Sequence, residues 1–594
     1  MAFPQKTSLA TAVTNRTTLD LSCQHVTTAD FMQFNVAKAL ELVPKQPIEI
    51  DMRTFARLEP LPVPTFGNAF IHNRAYFVPF RTVWTAWDDF ANDVPHIYDS
   101  GEMKQVTSVP LLSTSDISLV FADDDFSIEV ADNEAYDFEY VQYNTATGNV
   151  TGTPWKGRFT PLGRQTYKLL RSLGYSVDFN NYRNFVSALP LLCLCRVYND
   201  NFYPSAYANN DDSAWLQSFF KNNNDLLTDD TIFTEIGLKR IFKILTKVCY
   251  DSDYFTSAWD NPNAPNGNLA SSMSVVDIND VTGENIVGYD LFDGKNAPVI
   301  SNESNGAISS LSQFALNALR SMSDYMKRHQ IVGSRVIDRF MARWGIKLKS
   351  EQLNRSMYLG QWKQDIKFGD VLSTSDTDGA QLGAFAGRGI SFVDGKTGFN
   401  VNFDCEEHGM LIFTSTIVPV TQYYQGENRH CNHLTKLDFY TPEFDNLGTQ
   451  AIACNELYTP IGRTIKGYRD KVFGFTPRYA EYKVPVSQIT GDYVCNSMNV
   501  GKDSWTLFRD VSLYIDTEGL ENLEHSMAFV EGNDREQYNR IFYNTSSSAD
   551  HFNIIHDFNI KTTFPGKSLF DTYEFENEDK AQKVTVDVNG SKHN

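Results

Sequence analysis

The chain has 594 residues, more than one compact core accommodates, so several structural units or one heavily elaborated domain are expected. With 42% hydrophobic and 13% aromatic residues it can bury a large core, which excludes global disorder. Its formal charge of −21, from 52 basic and 73 acidic side chains, excludes nucleic-acid binding over the whole surface and confines any phosphate contact to a local basic face.

The opening stretch MAFPQKTSLATAVTNRTTLD has no apolar core of signal-peptide length, and no run of about 18 apolar residues occurs further on. Neither export nor membrane insertion is expected. The eight cysteines have no regular spacing, which fits a reducing compartment better than a disulfide framework.

In chain order, Ile48, Ile50 and Met52 alternate with Glu49, Asp51 and Arg53, the period of a half-buried strand. Prolines 60, 62 and 64 separate it from the continuous apolar run Ala75–Phe80, which predicts a strand buried on both faces. Val83, Trp84, Trp87 and Phe90 follow helical spacing in a short segment closed by Pro95. Residues 101–150 carry ten acidic side chains against one Lys, and the segment 101–155 reads as an acidic insertion on the outer surface. Residues 261–310, opening on NPNAPNGN with six acids against one Lys, read as a second surface insertion.

The pattern turns helical over 311–349. Leu311, Phe314, Ala315, Ala318, Leu319, Met322 and Met326 share one face; Gly333 breaks the helix and Ser334 caps a second one, with Val336, Ile337, Phe340, Met341 and Trp344 as its apolar stripe. Residues 311–350 hold eight Lys/Arg against Asp324 and Asp338, a net of +6, leaving −27 for the remainder. Arg335, Arg339 and Arg343 fall four apart in one row opposite the stripe. Such a row is a solvated face, a partner for acidic neighbours at a subunit contact, or a direct contact to DNA. From about residue 400 strand signals return in MLIFTSTIVPV, DYVCNSMNV and HFNIIHDFNIKTTF, and 568–594 form a polar, acidic tail. Strands at both ends with helices in the interruptions predict a mainly β chain, one β-sandwich with long decorated loops.

Reaction chemistry is poorly supplied. His430, Cys431 and His433 sit together in RHCNH, without the spacing of a zinc site. The loop TSDTDGAQLGAF offers Asp376 and Asp378 as calcium ligands, but Thr374 and Phe385 stand where the first and last ligands belong. Glu406, Glu407 and His408 adjoin, and neighbours on a strand face opposite ways. There is no GxSxG, HExxH or Walker A loop, and Gly379, Gly383, Gly387 and Gly389 are not spaced as GxGxxG. No enzymatic activity, cofactor or structural metal is expected.

Several segments together carry a resemblance. DLSCQHVTTADFMQFNVAKALELVPKQPIEIDMRTFARLEPLPVPTFGNAFIHNRAYFVPFRTVWTAWDDF, NFVSALPLLCLCRVYNDNF, DSDYFTSAW, LSQFALNALRSMSDYMKRHQIVGSRVIDRFMARWG, RSMYLG, FDCEEHGMLIF, QYYQG, FYTPEFDNLGTQ and GFTPRYAEYKVPVSQITGDY run colinearly from about residue 19 to 510. In that order they resemble the major capsid proteins of the Microviridae, especially the gokushovirus-like branch. The resemblance implies a single domain over 1–594 with an N-terminal arm, 1–30. Its fold would be an eight-stranded antiparallel jelly-roll β-sandwich with long loop insertions containing helices. It further implies sixty copies in a T=1 shell, with fivefold, threefold and twofold contacts, around circular single-stranded DNA. Residues 261–310 would then form a threefold protrusion. Lys6 and Arg16 of the arm, and some of the candidates Arg335, Arg339 and Arg343, are expected to face the lumen. Implied partners are minor virion proteins (pilot or DNA-binding) and a host surface receptor or glycan; implied locations are the virion and, during assembly, the host bacterial cytoplasm. Two other classes compete. A glycan-active β-sandwich would place two carboxylates in an aromatic cleft, and a fibre or adhesin would form elongated or trimeric assemblies.

Overall fold

The computed structural model describes residues 17–204, 234–259, 354–368 and 398–564, with internal breaks, together with Asp212, Trp215, Leu216 and two short strands near the end. Nine strands build its centre: β1 (Thr17–Asp20), β2 (Cys23–Ala29), β3 (Asn35–Leu42), β4 (Gln46–Leu58), β5 (Asn68–Pro79), β6 (Met357–Lys367), β7 (Phe399–Cys405), β8 (Gly409–Pro419) and β9 (Phe552–Phe564). All their pairings are antiparallel. The chain is mainly β, as its residue pattern predicts.

One sheet has the order β9–β4–β7, with β1 and β2 end to end along the other edge of β9. The other runs β6–β5–β8–β3. After β2, each connection crosses from one sheet to the other except β5 to β6, which stay neighbours. β4, and β9 as far as Thr562, alternate between buried residues and half-buried or exposed ones, with Ile48, Ile50 and Met52 on the same side as Phe558 and Ile560. They meet Phe77, Leu411 and Phe413 of the second sheet in one apolar layer between the sheets. β8 is buried along its whole length because its far face is covered too, by helices. The run Ala75–Phe80 is continuous for the same reason.

The covering helices come from the long excursion between β5 and β6: α1 (Thr114–Val120), α2 (Pro161–Leu173), α3 (Leu189–Val197) and α4 (Glu235–Leu245). α2 packs on β3, and α3 on β5 and β8. Thr160 caps α2 by accepting the Gly163 N–H at 3.1 Å, Pro161 opens it, and Gly174 at φ +98° closes it. Gly163 is required by proximity: a Cβ there would sit 1.8 Å from the Phe126 carbonyl oxygen. The sequence reading assigned none of these four helices.

The acidic segment 101–155 has two characters. Asp124, Asp125, Glu129, Glu134, Asp137 and Glu139 are exposed, yet Leu112, Ile117, Phe121, Phe126, Phe138 and Tyr140 are buried in the large core that also holds Tyr76 and Ile412. Phe138 stacks on Phe179 at 4.2 Å and on Phe159 at 4.9 Å. Counting acids alone missed this, because the aromatic residues that anchor the segment are interleaved with them. DYVCNSMNV, read as a strand, begins instead in a 3-10 turn at Gly491–Tyr493, and its remainder lies outside the described residues. So do the expected helices of 311–349 and the insertion at 261–310.

Candidate functional site

The cleft richest in reactive groups lies in the second excursion, between β8 and β9. Asn428 accepts the His430 N–H at 3.1 Å and starts the 3-10 turn Arg429–Asn432. Arg429 then reaches Glu456 Oε1 at 2.5 Å and the Ala451 carbonyl at 2.9 Å. Glu456 also accepts from the Ala453 N–H at 3.0 Å and the Tyr254 hydroxyl at 3.2 Å. Gly426 permits this approach, since a Cβ would meet the Glu456 carbonyl oxygen at 1.8 Å. The result is a cleft of about 320 Å³ walled by Tyr254, Phe255, Tyr423 and Tyr424, with Glu456 and Glu481 both in its lining.

Two carboxylates among aromatic rings are what a glycan-cleaving site would need. Here both are committed elsewhere. Burial, opposed by Arg429, leaves the Glu456 carboxyl above its ordinary range, but its oxygens are held by Arg429, a backbone N–H and Tyr254. Glu481 accepts from Gln450 Nε2 at 2.5 Å and faces His433 at 3.6 Å. His433 in turn lies against Phe439 and Tyr482. The RHCNH cluster is thus tied into packing, and no group of three or more His, Cys, Asp or Glu among the described residues is arranged to hold a metal. Glu406, Glu407 and His408 span the turn from β7 to β8, where Glu407 grips Arg81 and His408 meets the Trp87 ring.

The residues singled out for DNA contact, Lys6, Arg16, Arg335, Arg339 and Arg343, lie outside the described residues, as do Asp376 and Asp378 of the incomplete calcium loop. The structure does reveal a basic row that the sequence reading passed over. Lys239 and Lys243 of α4 and Lys247 just beyond it are four apart. Lys239 pairs with Asp123, Lys243 with Asp125 at 2.5 Å, and Lys247 with Glu531 at 3.1 Å. Each lysine already has a carboxylate, so the row offers little free positive field to phosphate; Lys239 and Lys243 clasp the acidic segment, and Lys247 ties α4 to the second excursion. Its spacing was visible in GLKRIFKILTK; the partners Asp123, Asp125 and Glu531, more than a hundred residues away, were not.

The sequence matches the family described as Capsid protein (F protein) over residues 7–148 and 159–565. The chain belongs to this capsid-protein family. It is 23% identical over 558 residues to capsid protein VP1 of Chlamydia phage 1, covering 84% of this chain and 87% of the relative. It is likewise 23% identical over 475 residues to capsid protein VP1 of Bdellovibrio phage phiMH2K, covering 77% and 78%. Both relatives come from gokushoviruses of the Microviridae, the group that the ordered segments resemble. This viral capsid protein is therefore a structural component of the virion and not an enzyme. Among its described residues no helix is long and apolar enough to cross a membrane.

A capsid protein has to hold large excursions rigidly on its sandwich, and buried charge does this here. Arg509, fully buried, bonds Asp534 at 2.9 Å and the Phe529 carbonyl at 2.6 Å. Its guanidinium lies between the rings of Tyr250 and Phe529, 4.0 and 4.1 Å from their centroids. The Tyr250 hydroxyl donates to Asp534 at 2.6 Å, so one ionic knot joins the two excursions. A second knot places Lys168 of α2 2.7 Å from Asp550, which also accepts from Thr28 of β2 at 2.5 Å. Inside the sandwich, His556 of β9 stacks on His25 of β2 at 6.1 Å and bonds Thr54 at 2.9 Å.

Proposed function

We propose that sixty copies of this capsid protein close into a T=1 icosahedral shell around circular single-stranded DNA, and that the shell carries the host-attachment surface. The strand order carries this reading. With the broken edge β1/β2 taken as one strand, the sheets read β2–β9–β4–β7 and β3–β8–β5–β6. That order supports an eight-stranded jelly roll, an architecture suited to shells because its packed sheets leave few open edges and extrude loops freely.

In this reading the acidic excursions point outward toward a receptor or glycan, and residues 261–310 form a threefold protrusion. The arm residues Lys6 and Arg16 and the row Arg335, Arg339 and Arg343 face the lumen, where phosphate needs local neutralisation without base readout. Minor virion proteins complete the particle, and assembly takes place in the host bacterial cytoplasm. The family match over nearly the whole chain supports the reading, as does the contrast between a net +6 over residues 311–350 and −27 over the remainder.

The test is nuclease protection in purified particles. Sedimenting particles should shield circular single-stranded DNA of one length. Particles that shield none would remove the genome from the account, and a chain that sediments only as monomers or elongated trimers would remove the shell.

A further inference from the structure

The excursion between β8 and β9 presents a ring-rich apolar surface beside the cleft. Leu434 is 85% exposed and Phe439 55%, and Tyr440, Tyr482 and Val486 are exposed with them. These side chains are not scattered singly. The Tyr440 and Tyr482 rings lie 5.7 Å apart, and His433 joins Phe439 at 5.4 Å to Tyr482 at 6.1 Å. Leu434 stands on the same loop, its N–H donating to Asp438 at 3.0 Å.

The platform is held rigid from beneath. Buried Tyr479, in the left-handed region at φ +64°, donates its hydroxyl to the Phe439 carbonyl at 3.2 Å and its N–H to Gln450 at 3.0 Å. At the rim, Lys483 reaches Asp445 at 2.6 Å. Fixed rings lose little freedom when a partner docks, so more of the contact energy is kept.

Charge selects the partner. Residues 428–445 and 478–488 together hold four Lys/Arg and four Asp/Glu, a net of zero in a chain of −21. Nucleic acid would need a positive face, and this one is neutral. Two copies of an acidic chain repel one another least through a neutral face. Aromatic centre and polar, ion-paired rim are also the composition of an interface hot spot. We infer that this platform is a contact face between subunits, covered in the particle by a second copy of the chain. The inference rests on the capsid reading above.

Cys431 sits exposed in the 3-10 turn at the edge of the platform and serves as a reporter. Purified particles and dissociated subunits are treated with iodoacetamide, and modification at Cys431 is read by peptide mass spectrometry. It should react at least an order of magnitude more slowly in particles, and a short cross-linker placed on it should capture a peptide of another copy of this chain. Leu434→Glu, at a side chain with almost no packing to lose, should keep the melting profile of the parent chain yet stay out of particles; Phe439→Ser should behave alike. Equal labelling in particles and subunits, cross-links only to DNA or to another virion protein, or normal particle yield from Leu434→Glu would each overturn the inference. Those results would leave the shell itself standing, whereas absence of particles from the unmodified chain would sink the capsid reading instead.

Discussion

The guanidinium of Arg509 lies 2.9 Å from the carboxylate of Asp534, with the two side chains 0% and 4% exposed. Removing one member of such a pair strands the other charge in the interior. Arg509→Met should therefore cost roughly 3–5 kcal/mol, and Arg509→Met with Asp534→Leu should recover part of that loss. Urea unfolding of the two variants makes the comparison. A double variant as damaged as the sum of its single changes would show that packing on Tyr250 and Phe529, and not the charge pair, is what matters.

The acidic segment is held by its rings. Phe138→Ala removes a side chain stacked on Phe179 and Phe159 and should cost about 3–5 kcal/mol. Asp125→Asn breaks the pair with Lys243, both side chains about half exposed, and should cost less than about 1 kcal/mol. Thermal melts, with limited proteolysis of the 101–155 region, should rank the two substitutions in that order.

Acidification should loosen the sandwich. Burial pushes His556 down to about 3, against about 6.5 in the unfolded chain, so the unfolded state binds more protons across that window. Stability is then fully present above pH 6.5 and falls as pH drops, by about 2 kcal/mol at pH 5. Burial lowers His525 to about 4 and adds to the same trend. Burial also lowers His551, but Asp30 outweighs it and holds that ring above its ordinary value, which opposes the trend. His556→Gln should flatten the pH dependence of unfolding between pH 7 and 5. An unchanged slope would assign the acid sensitivity to other groups.

The triple change Arg335→Ala, Arg339→Ala and Arg343→Ala tests the lumen assignment. Particles should form but hold less DNA. The salt dependence of DNA retention should fall by about 0.7 in log–log slope for each phosphate of the single strand that the variant no longer neutralises. Unchanged packaging would return the row to a solvated face or a subunit contact.

Local periodicity made part of this fold legible. The alternation in β4 and the continuous run ending β5 could be read directly, since strand burial repeats every two residues and a strand covered on both sides shows no polar face. α2 carried its own signals in Thr160, Pro161 and Gly174, directly after the segment 101–155, whose acids read as a surface insertion. α3, with the run LPLLCLC, is buried on all sides and so lacks the amphipathic stripe that marks a helix. The long-range ties were not legible at all. Nothing near Arg509 in sequence points to Tyr250, and nothing near His25 points to His556; only the folded topology brings them together. For function, the order of the resembling segments was informative where isolated motifs were not. Lys6, Arg16, Arg335, Arg339 and Arg343 lie outside the described residues and stand as proposals; Asp376 and Asp378 of the incomplete calcium loop lie outside them too.

The central claim is a closed shell of identical copies. Native mass measurement of purified particles, paired with images of the same sample, tests it most directly. Sixty copies of a 67.3 kDa chain predict about 4 MDa of protein in round, closed particles of one size. Monomers, slender trimers, or open filaments under the same conditions would contradict it.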